Sequence, residues 1–272
     1  MKRNIVTLLG VAAILVGIVF MRAAFEQSPK TDAEVLESEE AQAQLEEAAA
    51  ITDEAAAEVA TDTEEIVVAQ ADGAEAGAPS AETAAAIATL EEIAEWPATC
   101  PDVFRVKVDS TAGPYVIEVT KDWAPIGAER FYEMCKVGFL NDAGYFRVID
   151  DFMVQFGLAA DPKMTAQFKK NSLMDEPVRK SNQRGKITFA KSGAPNSRTT
   201  QVFINFKDNS FLDADGFAPF GEVVIGMDNV DRIYAGYGAQ SNEQGAITDQ
   251  GSAFLKANYP KLDYINKVTL VK

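Results

Sequence analysis

The sequence predicts a mainly β protein: a closed, eight-stranded antiparallel barrel with two or three flanking helices. An N-terminal hydrophobic helix and an acidic low-complexity tether precede it. Three observations point there. The chain changes composition near residue 96, from strongly acidic to charge-balanced. Beyond that point, roughly eight short β-forming runs alternate with isolated helical patterns. A sheet of so many short strands loses its vulnerable edges by closing on itself.

Residues 1–25 begin MKR and continue with an uncharged run from Asn4 to Met21. As a helix that run would be about 27 Å long, close to the roughly 30 Å of a hydrocarbon core. It reads as a signal anchor, with a cleaved signal peptide as the alternative, although MRAAFEQ makes a poor cleavage site. Lys2 and Arg3 would keep the N-terminus cytoplasmic and place the rest outside, membrane-anchored or secreted. Residues 26–95 hold 20 of the 41 acidic residues against Lys30 alone, net −19, with few aromatics. Such a segment buries too little apolar area to offset chain entropy and reads as a largely disordered linker. Its end, TAAAIATLEEIAEW, sets Ile87, Leu90 and Ile93 at helical spacing and could dock on the C-terminal domain. The acidity belongs to this tether. Residues 96–272 carry no basic excess, so no nucleic-acid partner is expected.

Within 96–272, FRVKVDS and PYVIEVT form a hairpin joined at Thr111-Ala112-Gly113. A helix starts near Pro125, with Ala128, Phe131, Tyr132 and Cys135 on one face and Gly138 as its stop. KITFA, QVFINF and FGEVV read as strands, and MDNVDRIYAGYG as a second amphipathic helix carrying Val230, Ile233 and Tyr234. SAFLKANYP is a shorter helix stopped by Pro260, and KVTLVK is the last strand. There is no histidine, which excludes Ser-His-Asp and Cys-His mechanisms and removes the commonest zinc ligand. Cys100 and Cys135 could form a bridge, or Cys135 could simply be core.

The stretch FRVIDDFMVQFG, residues 146–157, is apolar except for one arginine, one glutamine and the acidic pair in its middle. A two-residue turn at Asp150-Asp151 would mix polar and apolar side chains on both faces. A three-residue loop, Asp150-Asp151-Phe152, segregates them. Phe146 then opposes Phe156 and Val148 opposes Val154 on one face, while Ile149 opposes Met153 and Arg147 opposes Gln155 on the other. That register sets a permanent cation beside a neutral amide. In isolation, Arg147 could equally be a side chain reaching for solvent.

Three motifs, in order, resemble those of the cyclophilin-type peptidyl-prolyl isomerases. FRVIDDFMVQFG is similar to the F-H-R-V-I-x-x-F-M-x-Q-G-G signature. GKITFAKSGAPNSRTTQVFINF and FLDADGFAPFGEVVIGMDNVDRI resemble two later family segments, and the similarity spans roughly Phe104 to Leu270. The resemblance implies an eight-stranded antiparallel barrel with two flanking helices, and acceleration of X–Pro bond rotation without metal or cofactor. Matched by position, the catalytic arginine falls on Arg147 and the substrate-bonding glutamine on Gln155. The proline pocket falls on Phe152, Met153, Phe203 and Leu212. Ala190 and Lys191 match the peptide-pairing segment, Gln201 lines a neighbouring pocket, and Phe211 and Phe217 stand at the rim. The implied partners are proline-containing polypeptides, bound by a monomer. The alternative is a tethered module that binds such peptides without turnover.

Departures from the family pattern are visible too. Phe146 stands for the signature histidine, Asp150-Asp151 for Pro-Gly, and Phe156 for a glycine. Phe211 stands for a tryptophan, which implies weak cyclosporin binding; Phe217 stands where a histidine often occurs, and the AKSGAP loop is one residue longer.

Overall fold

Alternation along Val103–Ser110 (β1) turns Phe104, Val106 and Val108 inward and leaves Val103, Arg105 and Asp109 in solvent. Its partner Tyr115–Thr120 (β2) pairs antiparallel from Val103↔Thr120 to Val108↔Tyr115, forming the hairpin expected from the sequence. These strands belong to a computed structural model that describes residues 80–272; the hydrophobic run and most of the tether lie outside the described residues. Among the described residues no helix is long and apolar enough to cross a membrane.

Ahead of β1, Ala81–Ala88 (α1) is capped by Ser80. The remaining elements come in chain order. Pro125–Lys136 (α2) starts on its proline, as the missing N–H of a first-turn proline allows. Arg147–Ile149 (β3) and Met153–Phe156 (β4) form a short hairpin, and Pro162–Lys169 (α3) succeeds it, capped by the Asp161 carboxylate. Next come Lys186–Phe189 (β5), Val202–Asn205 (β6), a 3-10 turn at Ser210–Asp213 and Pro219–Ile225 (β7). Met227–Val230 (α4), Gln244–Gln250 (α5), Ser252–Asn258 (α6) and Ile265–Val271 (β8) complete the chain.

The eight strands make one sheet in the order β3-β4-β6-β5-β7-β2-β1-β8, with every pairing antiparallel. It curls around a core that includes Val106, Ile117, Val154, Phe156, Ile187, Phe189, Ile204 and Phe220, covered by Ala128, Phe131 and Cys135 of α2. The expected closure by strand pairing is absent, because β3 and β8 share no ladder. The segment ahead of β3 meets the start of β8 instead: Asp142 N donates to Ile265 O, Ile265 N to Ala143 O and Tyr145 N to Asp263 O, at 2.7–3.1 Å. Each edge strand has found another cover. Val148 N of β3 donates to Gly238 O, and Ser241 Oγ donates to Phe146 O at 2.8 Å. β8 takes Ile93 N onto Leu270 O and gives Lys272 N to Glu91 O, with Glu92 bridged to Val271. Residues 91–93, assigned by sequence to the tether, thus seal a sheet edge.

Other differences have local causes. MDNVDRIYAGYG is helical only over its first turn, because Tyr234 N turns away to donate to the Asp263 carboxylate and glycines stand at 236 and 238. Phe146, just ahead of β3, does not pack in the core cluster of Val148 and Phe156. It packs with Leu158, Ile247, Leu255 and Leu262 in a separate cluster. Helix α1 ends at Ala88 and buries Thr83, which donates to Asp228, rather than the Ile87 and Leu90 side chains. Both cysteines are free; burial pushes the Cys100 thiol up to about 11 and Cys135 well above its ordinary value.

Candidate active site

The β3–β4 hairpin has the segregated register: Arg147↔Gln155, Val148↔Val154 and Ile149↔Met153. The loop turns because Asp151 adopts the left-handed region (φ 55°), which a short polar side chain tolerates, and Phe152 N closes on Ile149 O. Val154 and Phe156 enter the core, so Met153 and Gln155 must face the other way, where β6 offers Phe203 opposite Gln155. Gly157 (φ 101°) ends β4 where an added Cβ would lie 2.4 Å from Thr200 O. That close approach brings Gln201 alongside Gln155.

Arg147 is half-buried. Its Nη1 donates to Gln155 Oε1 at 3.2 Å, and its Nε is buried without a partner. No ion pair among the described residues involves it. Burial alone pushes the guanidinium below its ordinary pKa, though such a group stays charged. Gln155, only 5% exposed, donates Nε2 to Gln201 Oε1 at 2.8 Å. The arginine is therefore oriented by an amide oxygen and left un-neutralised, with its buried Nε donor unpartnered.

Beside it lies an apolar cluster separate from the core. Met153, Phe203 and Leu212 are buried, and Ile149, Phe152, Ala190 and Phe217 are half-buried around them. Phe217 meets Phe203 edge-on at 5.8 Å, while the exposed Phe211 stacks on Phe152 at 6.1 Å. Lys191 Nζ sits 5.5 Å from the Phe217 ring centre, and Ala190 N donates to Gln201 O. All the residues singled out from the sequence thus belong to this hairpin, this cluster or its margin.

Sequence reasoning missed what supports the cluster. Asp213 accepts from Ser181 Oγ, Asn182 N and Asn182 Nδ2, which anchors the 3-10 turn bearing Phe211 and Leu212. Asn182 Nδ2 also reaches Phe217 O, and Asn209 Nδ2 bonds both Phe152 O and Asn205 Oδ1. Burial would raise the Asp213 pKa, but these donors outweigh it and hold the carboxyl below its ordinary value. The signal was present in the asparagines of NFKDNSFLD, but polar residues in a loop-like stretch do not reveal that they point inward.

The arrangement can grip a small apolar ring and offer a cationic donor beside it. A family model for cyclophilin-type peptidyl-prolyl cis-trans isomerases matches residues 103–250. Peptidyl-prolyl cis-trans isomerase B of Escherichia coli is 38% identical over 129 residues, covering 44% of this chain and 78% of that protein. A peptidyl-prolyl cis-trans isomerase of Acinetobacter baylyi is 38% identical over 135 residues, covering 47% and 70%. A Cryptosporidium parvum cyclophilin solved in the presence of the dipeptide Ala-Pro is 21% identical with a TM-score of 0.41, covering 47% of this chain and 82% of that one.

Proposed function

Because the chain belongs to the cyclophilin-type peptidyl-prolyl cis-trans isomerases, we propose that Arg147 is the group that accelerates X–Pro rotation here. Amide resonance opposes that rotation by about 18–20 kcal/mol. In the twisted transition state conjugation is lost and the proline nitrogen becomes a better acceptor. A guanidinium fixed beside it donates a hydrogen bond that is stronger there than in the ground state, which is how a binding group becomes a catalytic one. Met153, Phe203 and Leu212 grip the ring from below, with Phe152, Phe217 and the exposed Phe211 around it. Gln155 orients the guanidinium and holds the flanking carbonyl, Gln201 lines the adjoining surface, and Ala190 and Lys191 align the peptide. No proton is transferred and no nucleophile is used.

The observation that carries this reading is the half-buried Arg147, unpaired with any acid, next to an apolar cluster distinct from the core. Proline-containing polypeptides are the substrates. The hydrophobic run Asn4–Met21 supports action outside the cytoplasm on exported chains, with the acidic segment as spacer. Isomerisation of a proline peptide by the purified chain tests the assignment. Arg147→Ala should lose at least about 10-fold in kcat/KM, on the order of 1.4 kcal/mol. Equal rates would refute the role of Arg147, and binding without turnover in the wild type would make the protein a peptide-binding module. Cell fractionation and intact mass test the anchor.

A further inference from the structure

The Arg147–Gln155 contact is the first link of a longer row. Gln155 Nε2 donates to Gln201 Oε1 at 2.8 Å, Gln201 Nε2 to Gln244 Oε1 at 2.7 Å, and Gln244 Nε2 to Asn242 Oδ1 at 3.0 Å. Four side-chain amides run head to tail from the guanidinium to the start of α5. A primary amide has an accepting end and a donating end, so each link fixes the sense of the next. The guanidinium only donates, and Gln155 must therefore turn its oxygen toward it. Every later amide in the row has the same polarity.

We propose that Gln244 is a positioning residue for the isomerase reaction: by accepting from Gln201, it holds the row in the one sense that keeps the Gln155 oxygen on Arg147. This rests on the reading of Arg147 given above. Helix α5 is seated well enough for the task. Its Ile247, one turn beyond Gln244, packs in the same cluster as Phe146, the neighbour of Arg147. Gly238 O binds Val148 N on the edge of β3, and Ser241 Oγ binds Phe146 O just ahead of it. Gln244 itself is half-buried, so a charged side chain can stand there without the cost of full burial. Were the row reversed, Gln155 would present its NH2 group to a guanidinium that can only donate, and Arg147 would lose its orienting partner.

Substitutions of opposite polarity separate this role from packing. Gln244→Glu only accepts and preserves the sense of the row; Gln244→Lys only donates and opposes it; Gln244→Met breaks the row without reversing it. In the full chain, kcat/KM for a proline peptide should stay within about 2-fold for Gln244→Glu. It should fall about 3-fold for Gln244→Met and about 10-fold for Gln244→Lys. Thermal unfolding should not track that ranking, and the Gln155 side-chain amide resonances should move in Gln244→Lys but not in Gln244→Glu. Wild-type rates in both the Lys and Met variants, or equal losses in the Glu and Lys variants, would overturn the proposal. If Gln244→Lys does not fold, an unchanged rate in Gln244→Met overturns it alone. Should Arg147→Ala retain full activity, the parent reading fails; should Arg147 matter and Gln244 not, only this inference fails.

Discussion

Asp151 carries the tightest local constraint of the hairpin, a left-handed backbone in the loop that presents Phe152. Alanine lacks both the freedom of glycine and a short polar side chain that can bond locally, so Asp151→Ala should destabilise the protein by about 1 kcal/mol. Denaturant unfolding measures it, and an unchanged midpoint would show that the strain argument is wrong. Glu176 and Arg198 set a larger stake. The Glu176 carboxylate accepts from Ile126 N at 2.6 Å, Gly127 N at 3.0 Å and Arg198 Nη1 at 2.9 Å, with both side chains almost wholly buried. Arg198→Met removes the countercharge and should cost about 3–5 kcal/mol by the same measurement. At this scale the sequence was unevenly legible. Arg147 and Gln155 could be placed opposite each other because strand periodicity is two and only one register separates polar from apolar. The Glu176–Arg198 pair lies across loops without a period, and nothing in the residue types announces it.

Elements show the same division. The strands and the α2 and α6 helices were readable because alternation, helical spacing, Pro125 and Pro260 are local signals. α3 was missed although Asp161-Pro162 is a cap with a first-turn proline directly after it. α5 offers little to read, having no capping side chain and one buried residue, Ile247. α4 was overread because the tertiary bond from Tyr234 N to Asp263 overrode an apolar stripe. The 3-10 turn depends on Asp213, whose pKa is held below the ordinary aspartate value by Ser181 and Asn182. A carboxyl depressed in the folded state contributes stability above its unfolded pKa, and loses it as pH falls through the folded value. Below about pH 4, KM should therefore rise before the protein unfolds globally. Asp213→Asn should raise KM at neutral pH and lower the melting temperature modestly; no change in KM would detach this turn from substrate binding.

At the scale of the molecule, the sheet is sealed by its own flanking segments rather than by a final ladder, and this could not be foreseen from strand counting. Glu91–Ile93 covers β8 through Leu270 and Lys272. Deleting Ser80–Glu95 should bare that edge, lower the unfolding midpoint and promote self-association visible by sedimentation. A monomer of undiminished stability would mean the segment is ornamental. The site holds no histidine, and Arg147 stays charged well above neutrality, so kcat/KM should be flat from about pH 6 to 9. A bell-shaped profile would require a proton-transfer step instead. Finally, Met153, Phe203 and Leu212 pack apart from the side chains that hold the sheet together. On the proposed reading of that cluster as the proline pocket, its side chains can change while the architecture stands still, so relatives sharing this scaffold are free to differ in their clientele.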